Sequence, residues 1–354
     1  MIFRRAYALA ALALIAARAP DRRPLDAVIA SAHFQGVAIA GDSDKPSYVR
    51  ATGFAAKGLP NRATATWRWA SVTKQLTTVI VMQEIAAGRM ALDAPVTRYW
   101  PQWPQVFSDQ ITIRNLLQHT SGLADPSDDK PLADGLPAFY RGKGTMQDEA
   151  AGFCAEHPRE KPGASFHYNN CDFLVLGALL ERTTGKNYGA LVQERIAGPL
   201  SLKIGLVASG HPVPQVGGLD KNGRREIIGD LATYGAAGAL YGTPLTLYAF
   251  DRALIGHKLL DGATTKIMWT GDPKLGAAAL GQWQFVGRLK GCAAPVSIVE
   301  RRGQIGGVQV RNFILPASGR ALVLFTRMGA FDFGEVWQGK GFSYEALSAV
   351  GCGR

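Results

Sequence analysis

The sequence predicts a mixed α/β fold of the α+β kind: one antiparallel sheet built from strands at both ends of the chain, flanked by helices, with a mostly helical lobe inserted between them. Three observations carry this expectation. Two short β-rich runs lie near the start, at 36–41 and 47–53. Three more lie near the end, at 296–303, 308–315 and 321–326. Between them the chain reads mostly as helix with glycine-rich joints, such as 235–242. The expected division is an α/β lobe over about 20–95 and 245–354 and a helical lobe over about 96–244.

The first residues read as a leader. Arg4 and Arg5 precede an apolar stretch over 6–16, and Ala17, Arg18 and Ala19 offer small residues around a cut. This is a signal peptide, 1–19, too short to span a bilayer and excluded from the fold. No cysteine lies near the cut, so no stable membrane anchor is expected, and the mature chain, 20–354, is expected to be periplasmic or secreted. Removing Arg4, Arg5 and Arg18 takes the formal charge from +11 to +8. The positive residues are scattered, with no basic run or aromatic-interleaved basic helix, which excludes nucleic acid as an expected partner. In an oxidising compartment the four cysteines form two disulfides. Of the three pairings open to them, nearness along the chain favours Cys154–Cys171 and Cys292–Cys352. None has metal-site spacing or the surroundings of a cysteine nucleophile.

The elements follow in order. A first helix is read over 24–33. The strands 36–41 and 47–53 are joined by a polar turn holding Asp42, Asp44 and Pro46. Then comes Trp69-Ala70-Ser71-Val72-Thr73-Lys74. Residues three apart on a helix share a face, so Ser71 and Lys74 can enter one cleft. A serine hydroxyl is a weak nucleophile until a neighbour takes its proton, and a desolvated lysine can do so. A helix N-terminus adds positive potential beside a developing oxyanion. The run 75–87 is apolar almost all round and stops at Gly88, so the helix is buried and Lys74 partly desolvated. The competing reading makes Ser71 an N-cap and Lys74 a surface charge. A second Ser-x-x-Lys, Ser127 to Lys130, has Asp128 and Asp129 beside the lysine and Pro131 after it, and reads as a solvated loop.

A proline-punctuated stretch, 90–101, leads to a short helix within 111–123 that stops at Gly122. His119 near its end reads as bonding local backbone rather than as a partner of Ser71. Residues 124–164, rich in Pro, Asp and Gly, read as a loop-dominated insert over the cleft. Tyr168-Asn169-Asn170, the only Tyr-x-Asn in the chain, opens a buried helix over 173–181. A tyrosine beside a lysine ionises more easily and can relay a proton to a leaving group. Asn170 can hold both the lysine and a substrate amide. The chain to about 260 reads as mostly helical, the strands at 296–326 follow, and a helix over 342–350 closes it.

Taken together, 69–75, 117–123 and 168–170, in this order, resemble the serine β-lactamase and penicillin-binding-protein superfamily, closest to its branch of class C β-lactamases, D-alanyl-D-alanine carboxypeptidases and related esterases. The class A pattern fits less well, because Tyr-x-Asn stands where that class carries Ser-Asp-Asn. The third motif of the superfamily is Lys or His, then Thr or Ser, then Gly, on a cleft strand. Here it is matched by Arg301-Arg302-Gly303, with Gly306 and Gly307 following at the superfamily's spacing. Lys203-Ile204-Gly205 comes too early in the chain to serve. Arg301 keeps a cation but cannot act as a base. Arg302 replaces a small hydroxyl residue and is expected to crowd the site. That departure points away from efficient β-lactam turnover and toward ester or peptide-like acyl substrates, including ones whose carboxylate an arginine can pair with.

The resemblance implies a two-step acyl transfer without metal or organic cofactor. Ser71 is the nucleophile, and Lys74 or Tyr168 takes its proton. The backbone N–H groups of Ser71 and Gln304 form the oxyanion hole. Asn170, Arg301, Arg302 and Gly303 bind substrate, and Tyr168 protonates the leaving group. The implied substrate is a small or peptide acyl compound: a β-lactam, a D-alanine-containing peptide or an ester. The implied state is a monomer. Two other readings stay open: a binding protein of the same fold whose Arg302 blocks turnover, and an envelope protein with no working site.

Overall fold

Six strands hydrogen-bond into one antiparallel sheet: β1 (Gly36–Gly41), β2 (Tyr48–Thr52), β3 (Trp283–Gly287), β4 (Val296–Ile305), β5 (Val308–Leu315) and β6 (Arg320–Thr326), in the order β2-β1-β6-β5-β4-β3. These strands come from a computed structural model that describes residues 23–156, 158–208 and 214–352. The expected signal peptide and its cut lie outside the described residues. The first and last strands of the chain meet in the middle of the sheet, where Gly36 faces Thr326 and Gly41 faces Ala321.

Alternation along the strands explains why both faces are covered. Val37, Ile39, Val323 and Phe325 point to one side, into the core that holds Val72, Leu76, Val79 and Ile80. Ala38, Ala40, Leu322 and Leu324 point to the other, against Leu25 and Ile29 of the helix Arg23–Ser31 and Phe342 and Leu347 of the helix Phe342–Gly351. β1 is therefore buried at every position. Each large apolar side chain removed from water here contributes about 1.5–3 kcal/mol. The helix Thr73–Ala86 is buried at every residue from Thr73 to Met82, as its all-round apolar run predicts, and the chain leaves it through Gly88 at φ +71°.

Antiparallel sheet, flanking helices and the strands of both ends match the expected fold class. Four details differ. β3 went unread, because its half-exposed five-residue run lacks a burial pattern strong enough to stand out. The stretch 124–164 is more than loop. Thr145 and Asp148 cap each other's backbone N–H groups and start the helix Met146–Ala151, followed by Phe153–Glu156. Residues 214–230 carry no helix. Trp67–Arg68, Gly205–Leu206 and Leu240–Gly242 form a small second sheet whose two- and three-residue strands are too short for periodicity to reveal. Both disulfides form as expected, Cys154–Cys171 and Cys292–Cys352. The first ties the helix Phe153–Glu156 to the start of the helix Cys171–Thr184, one residue after Asn170. Among the described residues no helix is long and apolar enough to cross a membrane.

Candidate active site

Ser71 does not cap the helix that follows it. It sits in a 3-10 turn, Ala70–Val72, and the N-cap of the helix Thr73–Ala86 is Val72. Ala70, fully buried, holds φ at +49°, a left-handed conformation that costs a non-glycine residue about 1 kcal/mol. That turn lifts Ser71 to the edge of a cleft of about 320 Å³ lined by Ser71, Tyr168, Trp283, Arg301, Arg302, Gly303 and Gln304.

Two side chains meet the serine oxygen. Tyr168 Oη donates to Ser71 Oγ at 2.7 Å, and Lys74 Nζ lies 3.3 Å from the same atom. Lys74 is fully buried, not a surface charge. Its Nζ also donates to Asn170 Oδ1 at 2.6 Å and to the carbonyl of Ala237 at 2.9 Å. Burial holds the Lys74 amine below its ordinary pKa; Tyr168 opposes this and the Arg301 charge adds to it. Asn170 is held in turn: its N–H donates to Asp125 Oδ2 at 2.9 Å and its Nδ2 to Tyr140 Oη at 3.0 Å, which leaves its oxygen for the lysine.

Arg301 ties this group to the sheet. Its Nε donates to the carbonyl of Ser71 at 2.7 Å and its Nη2 to Tyr168 Oη at 2.9 Å. Burial alone pushes the Tyr168 phenol up, but the Lys74 and Arg301 charges and the hydrogen bonds to it bring it below its ordinary value. The strand can pass this close because residue 303 is glycine: a Cβ there would stand 2.3 Å from the carbonyl oxygen of Trp69 and 3.3 Å from the N of Ser71. β3 pairs with β4 only from Val296 to Glu300, so from Arg301 onward that edge of β4 faces the cleft instead of another strand. Gln304 lies on this open stretch, in register with Gln309 of β5.

Successive residues of a strand point to opposite faces, so Arg301 and Arg302 diverge. Arg302 donates to both carboxyl oxygens of Glu300, at 2.9 and 3.1 Å, and to both of Glu335, at 2.7 and 2.5 Å. It forms a fixed part of the cleft wall. Expected to crowd the site in place of a small hydroxyl residue, Arg302 does line the cleft with Ser71, and two carboxylates hold its guanidinium.

His119 is not bonded to local backbone through its ring. The ring Nδ1 pairs with Asp172 Oδ2 at 2.8 Å, and the ring packs 4.5 Å from that of Tyr168. Asp172 also accepts from Ser121 and Asn169. Burial keeps His119 well below its ordinary pKa, with the Arg301 and Lys74 charges adding to this. It does not reach Ser71 and forms a backing for the tyrosine. Asp125, Tyr140, Asp172, Trp283 and Glu335 went unread as site residues. Nothing local marks them, since each acts through a contact distant in the chain. The second Ser-x-x-Lys, at Ser127 and Lys130, is exposed as expected. Among the described residues no group of three or more His, Cys, Asp or Glu side chains converges on a metal-sized site.

The chain that carries this arrangement resembles known proteins. The family model described as Beta-lactamase matches residues 22–332. Esterase EstB of Burkholderia gladioli is 34% identical over 183 residues, 47% of this chain and 45% of that protein. The D-alanyl-D-alanine-carboxypeptidase/endopeptidase AmpH of Escherichia coli is 30% identical over 139 residues, 38% of this chain and 35% of that protein. The chain thus spans less than half the length of these curated relatives. Among solved structures, a D-stereospecific amidohydrolase from Streptomyces superimposes with a TM-score of 0.72 at 25% identity, covering 94% of this chain and 99% of that one.

Proposed function

The chain belongs to the Beta-lactamase family, and on that premise we propose that it is an exported, monomeric serine hydrolase that cleaves small ester or amide substrates through an acyl-enzyme on Ser71. The observation that carries this reading is the convergence of Tyr168 Oη, at 2.7 Å, and Lys74 Nζ, at 3.3 Å, on one serine oxygen. Two relatives named as an esterase and a carboxypeptidase/endopeptidase, of which the chain spans less than half, give the substrate class its support.

In this reading the shorter contact makes Tyr168 the group that exchanges a proton with Ser71. The Lys74 and Arg301 charges lower the pKa of the phenol and so ease the ionisation this role requires. Ser71 Oγ attacks the carbonyl, and the oxyanion lies between the N–H groups of Ser71 and Gln304. Tyr168 passes the proton to the leaving group. Water then repeats the sequence on the ester and frees the acid. Asn170 positions Lys74, and Gly303 keeps the strand at the serine. Of the β-lactams, D-alanine-containing peptides and esters first weighed, esters without a carboxylate beside the bond are favoured, and simple amides are added to them. Arg302, which lines the cleft with Arg301 and Arg311, already donates to both oxygens of Glu300 and of Glu335.

Intact-mass spectrometry of the purified chain after exposure to an activated ester and to a penicillin tests the reading. A transient acyl adduct that maps to Ser71 and turns over with the ester is the expected result. Ser71→Ala and Lys74→Ala each lower ester turnover on the order of a thousandfold or more, as residues that act as a unit do. An unlabelled wild-type chain, or full turnover by Ser71→Ala, refutes it.

A further inference from the structure

We propose that the outer end of the cleft is a binding subsite for an aromatic ring on the leaving-group side of the substrate, where Tyr168 hands over its proton, built by Trp283, Arg302 and Trp337. Four observations lead there. Trp337 is 58% exposed, although an indole is among the costlier side chains to leave in water. It is nonetheless held: Phe285 meets it edge-on at 5.7 Å and 85°, and the Arg302 guanidinium stands 5.1 Å from its ring. The same guanidinium stands 5.6 Å from Trp283. Trp283 in turn stacks at 6.4 Å and 22° on Tyr168, whose hydroxyl bonds the nucleophile. A continuous line of π faces therefore runs outward from Ser71.

The chemistry of the guanidinium decides what this line takes. Its four hydrogen bonds to Glu300 and Glu335 occupy the edge with which arginine grips a carboxylate. What remains on offer is flat: the exposed indole of Trp337 and the held arginine that spaces it from Trp283, whose own ring Arg301 also approaches at 5.3 Å. A planar ring gains stacking here that a saturated ring of equal area does not, and it meets a surface already fixed before binding.

The proposal rests on the reading of Ser71 as nucleophile, because it presumes that the carbonyl of the substrate sits at that oxygen. The test uses acetate esters, whose acyl group carries no ring, of ethanol, 4-cyclohexylbutanol and 4-phenylbutanol, with the released acetate measured against each. The expected result is a kcat/KM about tenfold higher for the phenyl than for the cyclohexyl compound, the size of a good aromatic contact. Trp337→Leu brings that ratio near one and Trp337→Phe keeps it. Equal kcat/KM for the two ring-bearing esters in the wild-type chain, or a ratio that Trp337→Leu leaves intact, overturns the subsite. If no ester is cleaved, it is the hydrolase reading that fails. Calorimetric titration with N-(4-phenylbutyl)acetamide then decides the subsite alone: saturable binding that weakens about tenfold in Trp337→Leu supports it, and no binding overturns it.

Discussion

Replacing Arg301 by glutamine removes a charge from the centre of the site while keeping a planar group that donates hydrogen bonds. Arg301 gives two bonds, to the Ser71 carbonyl at 2.7 Å and to Tyr168 Oη at 2.9 Å. A hydrogen bond from a charged group contributes about 1.5–3 kcal/mol. Losing the charge on the bond to Tyr168 should therefore lower kcat/KM at pH 7 by roughly tenfold to a hundredfold. The sign of the pH effect follows from the site. The Arg301 charge disfavours a second cation at Lys74 and favours an anion at Tyr168, so it lowers the pKa of both. Without it both rise. Either group must be deprotonated to take the serine proton, so the acid limb of kcat/KM moves to higher pH whichever of the two acts. Tyr168 and Lys74 bear on each other, so the two titrate as a pair whose shift the profile reads together, while Asp125, the other charged neighbour of Lys74, is unchanged by the substitution. The assay is the pH profile of ester hydrolysis for wild type and Arg301→Gln, with thermal melts to establish that both are folded. A loss equal at every pH, with the limb unmoved, would refute the electrostatic role and leave Arg301 a packing residue.

Three further outcomes are expected. Gly303→Val sets a Cβ 2.3 Å from a backbone oxygen that cannot swing away, so it should lower stability by about 1–3 kcal/mol and abolish turnover; a melting curve and activity equal to wild type would contradict the close approach. The double change Cys154→Ser, Cys171→Ser opens a loop of separation 17 and should cost about 3 kcal/mol, read as a shift in denaturant midpoint. Arg302→Thr restores the superfamily's small hydroxyl residue but leaves the side chain of Glu300, 2% exposed, with only the more distant Arg311 at 3.9 Å. It should destabilise the chain by about 3–5 kcal/mol and give no gain in penicillin hydrolysis, whereas a stable variant with raised β-lactam turnover would restore the crowding idea.

Much of this was legible because some of the constraints are local. Ser71 and Lys74 are three residues apart, and Tyr168 and Asn170 are two, so their grouping is written in spacing that sequence alone displays. β4, β5 and β6 announce themselves through runs of Val, Ile, Leu and Phe between glycines. What stayed hidden depends on partners far along the chain. The direction of Arg302 is set by Glu335, on a loop 33 residues away. The role of His119 is set by Asp172, 53 residues away. The depth of Lys74 burial depends on Asn170 and on the Ala237 carbonyl, 96 and 163 residues away. The left-handed turn at Ala70 gave no sign, because alanine is not the residue that turn prefers. The helix Met146–Ala151 was different: its Thr145 and Asp148 cap stood in the sequence and was overlooked amid the prolines and aspartates around it.

The pairing of Gly36 with Thr326 has a temporal side. At a ribosomal rate of about 5–20 residues per second, the opening strand waits on the order of tens of seconds for the partner that completes its sheet. Until then the serine turn lacks the arginine strand that anchors it, so an unfinished polypeptide carries no competent centre. Hydrolytic capacity of this design arrives only once the strand ending at Thr326 has been made, and any nascent fragment released before that point is inert.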